Sequence, residues 1–287
     1  MKSAVSAWSF QRLISEGKHT HFSIIAKAKE YGFDAIEFID LYVPEGKTEL
    51  EFAKEIKAEA DRVGIAISCY AVYADLLNGC NGDIDKEIER LCRKVDVCEV
   101  LGAPLLRHDI TPHPPKGYLG YTNLLPRFVK AARAVTEYAE KKGIRTCTEN
   151  HGFFSQDSDR IVSLVNATER ENFGLLVDIG NFMGAGEDPT VAVGRCATYA
   201  FNVHVKDNLI KSGNEEQPEG FHLNRVGNYI RGTVLGHGVV PILQCIKALK
   251  RAGYDGYLTL EFEGLEDCEF GIKAGLNYIN KTIKALS

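Results

Sequence analysis

Short β-branched and apolar runs recur along the chain, separated by longer segments whose apolar positions fall at helical spacing. Strands are predicted at 4–8, 35–38, 65–72, 104–107, 145–149, 174–178, 201–206 and 257–261. Helices are predicted at 22–31, 50–63, 84–101, 124–142, 158–166, 189–198, 241–252 and 270–286. Gly32, Gly64, Gly102, Gly143 and Gly253 stand where a helix gives way to the next strand. Glycine enters the left-handed conformation of a helix C-terminus without a Cβ penalty, so this repeat marks the return from helix to strand. Eight β/α units in 287 residues fit one closed (β/α)8 TIM barrel, a single α/β domain spanning 1–287. An open Rossmann-type sheet would carry GxGxxG after its first strand; Ala7-Trp8-Ser9-Phe10 has none of those glycines, which removes support for nicotinamide binding. Residues 207–238 break the regular spacing with a polar, Gly- and Asn-rich stretch, longer than ordinary βα loops. Because βα loops lie on the catalytic face of a barrel, this stretch is expected to be a lid or a contact with a second copy, which leaves a homo-oligomer open.

Composition narrows the partners. The net charge is −5 with no cluster of Lys and Arg, so neither nucleic acid nor an anionic membrane surface is expected. Apolar stretches such as 174–177 are far shorter than the roughly 20 residues that span a bilayer. Met1-Lys2-Ser3-Ala4-Val5-Ser6 lacks the apolar region of a signal peptide, which makes the cytoplasm the expected address. Eight cysteines without a CxxC pair read as reduced, mostly buried thiols, with Cys147 packing inside the barrel.

In a barrel the C-terminal ends of the strands share one site, whatever their separation in sequence. The C-terminal parts of the fifth to eighth predicted strands contain Glu149, Asp178, His204 and Glu261. Spacings of 29 and 26 residues separate the first three, one βα unit each, and the last interval contains the long segment. Two Glu, one Asp and one His in one low-dielectric cavity call for a neutralising cation. Carboxylate and imidazole ligands together suit one divalent metal ion, Mn, Co, Mg or Zn. Glu37 and Arg107 end predicted strands and are expected to face the cavity, with Arg107 able to grip a hydroxyl or carboxylate. Tyr70, His108, His151, Asn181, Lys206 and Asp207 are placed on the same face. Of these, His151, Asn181 and Lys206 join Glu37 and Arg107 as the expected substrate-binding set. His113, among prolines, reads as loop structure; His19, His21, His222 and His237 read as solvated loop histidines.

At Thr148-Glu149-Asn150-His151-Gly152, Leu176-Val177-Asp178-Ile179-Gly180-Asn181, Val203-His204-Val205-Lys206-Asp207, Gly236-His237-Gly238 and 253–261, the sequence resembles the sugar phosphate isomerase/epimerase family of xylose isomerase-like barrels. That group includes ketose 3-epimerases, hydroxypyruvate isomerases and inosose-processing enzymes. The resemblance implies a metal, manganese among the candidates, held by Glu149, Asp178, His204 and Glu261, with Glu149 and Glu261 as the catalytic acid/base pair. A cation beside a ketose carbonyl acidifies the α-proton by stabilising the enediolate that deprotonation leaves. Return of the proton on the opposite face is epimerisation, return at the neighbouring carbon is isomerisation, and loss of a β-hydroxyl is dehydration. The implied partner is a small sugar or keto-sugar, and the implied setting carbohydrate metabolism. Ketose epimerases commonly place a His where this chain has Asn181 and an Arg where it has Ile210, so the substrate-gripping set departs from theirs while the ligand set does not. An inosose-type dehydratase is the alternative on the same metal site. An endonuclease of the same superfamily would need a basic face and more histidines, and a non-catalytic binding subunit would need no proton transfer.

Overall fold

The computed structural model describes residues 1–112 and 120–286, so His113 lies outside the described residues. The chain runs through β1 (Lys2–Ser6), α1 (Gln11–Ser15), α2 (His21–Tyr31), β2 (Ala35–Ile39), α3 (Glu49–Val63), β3 (Ala66–Val72) and α4 (Ile84–Leu101). It continues with β4 (Leu105–His108), α5 (Tyr121–Glu140), β5 (Arg145–Glu149), α6 (Ser158–Thr168), β6 (Phe173–Asp178), α7 (Phe182–Ala185) and α8 (Pro189–Cys196). Last come β7 (Ala200–Val205), β8 (Asp207–Lys211), β9 (His222–Leu223), β10 (Tyr229–Thr233), α9 (Ile242–Arg251), β11 (Tyr257–Leu260) and α10 (Cys268–Leu286). Strands β1 to β7 pair in sequence order, and β11 closes the barrel between β7 and β1, all in parallel.

Local chemistry fixes the helix ends. Thr48 accepts from the Glu51 amide at 3.2 Å while the Glu51 carboxylate accepts from the Thr48 amide at 2.8 Å, a reciprocal cap that satisfies two otherwise orphaned donors at the start of α3. Asp83, Asp157 and Asp188 cap α4, α6 and α8 with side-chain oxygens. Gly32, Gly64 and Gly102 close α2, α3 and α4 in the left-handed conformation.

The large core lies between strands and helices. Inside the barrel, Cys69, Leu105, Cys147 and Leu176 of four adjacent strands form a small separate cluster. Beside it runs a buried polar chain: Thr259 Oγ1 donates to Asn202 Oδ1 (3.2 Å), and Asn202 Nδ2 donates to Glu37 Oε2 (2.9 Å). All eight cysteines are free and six are buried.

Three expectations need correction. The first strand ends at Ser6, and residues 7–10 form a 3-10 turn capped by the Ser6 hydroxyl, so Trp8 stands at the barrel mouth. Residues 207–238 are not an irregular loop: β8, β10 and β9 form an antiparallel sheet in that order. His21 is no solvated loop residue; it opens α2, is buried, and meets Phe52 edge-on at 5.5 Å. No helix among the described residues is long and apolar enough to cross a membrane.

Candidate functional site

Side chains two apart on a strand point to the same side, and lateral partners in a sheet share a side. Glu149 is paired with Leu176, Asp178 lies two residues further along β6, and Asp178 is paired with His204. His204 is in turn paired with Thr259, two residues before Glu261. The register therefore carries all four groups into the barrel mouth in one rising arc. One ligand atom from each of Glu149, Asp178, His204 and Glu261 lies within 4.8 Å of the other three, and together these residues could hold a metal ion.

Each of these candidate ligands is held from behind. His204 Nε2 lies 2.8 Å from Glu37 Oε1 at the top of the polar chain, which turns Nδ1 toward Glu261 Oε1 (3.5 Å), Glu149 Oε1 (3.9 Å) and Asp178 Oδ2 (3.9 Å). Asp178 Oδ1 accepts from the amides of Gly180 (2.8 Å) and Asn181 (2.9 Å), while the Asn150 side chain bonds both the amide and the carbonyl of Asp178 at 2.8 Å. Glu149 Oε2 pairs with Arg107 Nη2 at 2.6 Å, and Glu149 Oε1 accepts from Asn181 Nδ2 at 2.9 Å. Glu261 Oε2 pairs with Lys206 Nζ at 2.6 Å.

Lys206 also reaches Asp178 Oδ2 (3.2 Å) and Glu263 Oε2 (3.0 Å), and Arg107 reaches Asp109 (2.8 Å). The chain thus supplies two cations to its own acidic groups, and burial of the acids alone does not demand an external one. The count of charges goes further. Glu37, Asp109, Glu149, Asp178, Glu261 and Glu263 form one connected network with Arg107, His151, His204 and Lys206. With all ten groups ionised, six carboxylates against four bases leave two negative charges in excess, the charge that one divalent ion carries, and burial of Asp178 opposes that state unless a cation joins the cluster. Among the described residues, two buried atoms of this cluster make no well-formed hydrogen bond: Asp178 Oδ2 has only the Lys206 ammonium at 3.2 Å, and His204 Nδ1 only the Glu261 carboxylate at 3.5 Å. Buried polar atoms are nearly always satisfied, and these two face the same point. The donor set fits a divalent ion.

Titration follows the same logic. Burial drives the Asp178 carboxyl up to about 7 against the pull of Lys206, with Glu261 and Glu149 adding to the rise. Burial opposes a charged His204, yet Glu37 and Glu261 outweigh it and hold the imidazole well above its usual value. Burial likewise opposes ionised Glu261, and Lys206 and His204 outweigh it, holding the carboxyl well below its usual range.

The expected substrate-binding residues divide. Arg107, His151 and Lys206 line the cavity at the mouth, as does Glu37, although both Glu37 oxygens are already engaged by His204 and Asn202. Asn181 lines the adjoining cavity and holds Glu149. Two residues placed on this face do not reach it: Tyr70 bonds Glu49 of α3 at 2.5 Å, and His108 stacks on Phe173. Both follow the strand alternation, which sends every second side chain toward the helices. Asp207, also placed on this face, lines neither cavity: it is buried and accepts from four backbone amides. The sequence reading missed Asp109, which lies one residue past β4 and bonds His151 Nδ1 at 2.9 Å, and Glu263, which accepts from Trp8 Nε1 at 2.7 Å. Ending the fourth strand at His108 would have exposed Asp109, and the alternation Glu261-Phe262-Glu263 would have exposed Glu263.

The xylose isomerase-like TIM barrel family matches residues 25–282. The chain belongs to that family. An inosose dehydratase of Geobacillus thermodenitrificans (strain NG80-2) is 28% identical over 151 residues, covering 51% of this chain and 50% of that protein. The chain thus spans about half the length of the curated relatives of this kind that it matches. Among solved structures, a D-allulose 3-epimerase from Methylomonas sp. superposes with a TM-score of 0.74 at 17% identity, covering 98% of each chain. A xylose isomerase-like TIM barrel protein from Mycobacterium smegmatis in complex with magnesium also gives 0.74 at 17% identity, covering 99% of this chain and 97% of that one. At these identities the two structures show a shared fold.

Proposed function

We propose that this family member is a divalent-metal-dependent isomerase or epimerase that moves the α-proton of a keto-sugar between Glu149 and Glu261. The observation that carries the reading is the convergence of four potential ligand atoms within 4.8 Å, three of them from residues that line a cavity of about 310 Å3. Glu149, Asp178, His204 and Glu261 would hold the ion, which when bound supplies Lewis-acid polarisation of a substrate carbonyl.

The chain's own groups do the rest. Glu149 and Glu261 each turn one oxygen toward the ligand cluster and the other to a fixed cation, Arg107 or Lys206, so each carboxylate is immobilised where it can take or return a proton. Arg107 and Lys206 stand beside them to orient substrate oxygens. Asn181, bonded to Glu149, sits where the resembled ketose epimerases carry a His, and exposed Ile210 sits where they carry an Arg. That departure, with the similarity to inosose dehydratases, favours a second reading in which the same α-proton abstraction leads to loss of a β-hydroxyl.

Glu149→Gln and Glu261→Gln are each expected to slow solvent deuterium uptake into a bound ketose by roughly 10²–10⁴-fold with the fold retained. NMR in heavy water with Mn²⁺, Co²⁺, Mg²⁺ or Zn²⁺ supplied reads the exchange, and the product peak separates epimer, aldose and dehydrated sugar. Wild-type exchange in either variant would remove the acid/base assignment. Bound metal without any exchange would leave a binding subunit.

A further inference from the structure

The mouth of the barrel opens into two lobes. One, about 310 Å3, includes Glu149, His204 and Glu261 in its wall and carries half-exposed Trp8, Tyr42 and Tyr73. The other, about 420 Å3, touches none of the four ligands. Its walls come from Phe153 and Gln156 of the segment between β5 and α6, from His222 and Arg231 of the small antiparallel sheet, and from Leu265 beyond β11. His151, Lys206 and Glu263 line both lobes, so the two meet at a waist formed by these residues.

Each lobe by itself has the volume of a small-molecule site, roughly 300–1,000 Å3. The proton transfer described above uses only the first, because the reacting carbons must lie against Glu149 and Glu261. The chemistry therefore leaves the second unexplained, although β9 and β10, inserted between β7 and α9, build one of its walls. Arg231 brings a charged group to that wall: one guanidinium nitrogen pairs with Glu266 at 3.3 Å, and about a fifth of the side chain is exposed. Apolar Phe153 and Leu265 stand beside polar Gln156, His222 and Arg231, a mixture that suits a sugar ring with its apolar faces and hydroxyl edge.

We propose that the second lobe seats a second sugar unit, so that the preferred substrate is a keto-sugar joined through a glycosidic bond to another ring, with the ketone unit over the four ligands and the appended ring under the small sheet. The inference deepens the proposed function and rests on it for the placement of the ketone unit.

Calorimetric binding to the full chain supplied with Mn²⁺ tests it with two probes: a disaccharide oxidised to a ring ketone in one unit, and the methyl glycoside of that same keto-sugar. The wild type is expected to bind the disaccharide at least tenfold more tightly. Leu265→Trp fills the lobe from an exposed position, and Arg231→Gln removes the guanidinium from its wall; each is expected to bring the affinity ratio toward one, with melting curves confirming the fold. Equal affinities in the wild type would overturn the proposal, as would an undiminished ratio in Leu265→Trp. Should Arg231→Gln fail to fold, the wild type and Leu265→Trp decide. A tenfold preference without deuterium exchange would remove the proposed reaction and keep the second subsite; exchange without the preference would do the reverse.

Discussion

His204 shows how one side chain acquires its role from those behind it. Glu37 holds Nε2, Asn202 holds Glu37, and Thr259 holds Asn202, so the imidazole has a single orientation and Nδ1 alone faces the acids. Glu37→Gln keeps the shape but weakens the charge-assisted bond to the ring, and metal affinity is expected to fall about 10–100-fold with the fold retained. Titration with competing chelators measures it; unchanged affinity would show that Glu37 does not orient the ligand. The ligand types and their strand-end positions were legible in the sequence. The pairing of Glu37 with His204 was not, because the two lie on strands separated by β1 and β11 around the barrel and no local pattern relates them. Asp109 escaped for a smaller reason, since a one-residue error at a strand end moves the following side chain out of the site.

At the level of elements, loops are fixed to the barrel by buried carboxylates. Asp207 takes backbone N–H donors from Asn208 (2.9 Å), Val240 (3.1 Å), Gly236 (2.8 Å) and Gly238 (2.9 Å), tying the start of the inserted sheet to its return. A Cβ on Gly238 would fall 2.2 Å from Asp207 Oδ1, so this close approach requires glycine. Asp207→Asn replaces an acceptor by a donor facing amides and is expected to cost about 2 kcal/mol in denaturant unfolding, with the insertion exposed to protease. A stable, protease-resistant variant would contradict the pinning role. Behind β3, Glu87 binds Arg90 through both oxygens and the Asp75 amide through one. Burial raises the Glu87 carboxyl, and Arg90 chiefly outweighs it, so the folded value lies below the usual one. Its stabilisation is therefore present above about pH 4.5 and lost as pH falls through the folded value. Acid unfolding followed by circular dichroism is expected to show a weaker pH dependence below 4.5 in Glu87→Gln than in the wild type; identical profiles would count against the pair. Helix caps such as Thr48 with Glu51 are local and legible. The inserted sheet was not, because β9 has two residues and β8 pairs with β10 across the whole intervening segment, as Asp207 with Thr233.

For the molecule as a whole, a divalent ion held by the proposed site would link ion binding to stability. A ligand that binds only the folded state adds RT ln(1 + [L]/Kd), about 2.7 kcal/mol at a hundredfold excess over Kd. Chelation followed by calorimetry is expected to lower the melting temperature by several degrees, and supplying the divalent ion to restore it. A melting curve unmoved by verified metal removal would favour Lys206 as the cation that serves the acids.

The sequence by itself determined the alternation of strand and helix, the closed barrel, and the placing of Glu149, Asp178, His204 and Glu261 near strand ends, because strand and helix periods, caps and chain order are properties of neighbouring residues. Only the tertiary structure decided which groups stand behind the ligands, how Lys206 and Arg107 divide the acids between them, and that residues 207–233 build a sheet over a second lobe. Those outcomes depend on register around a closed cylinder, where strand pairing brings together side chains more than a hundred residues apart.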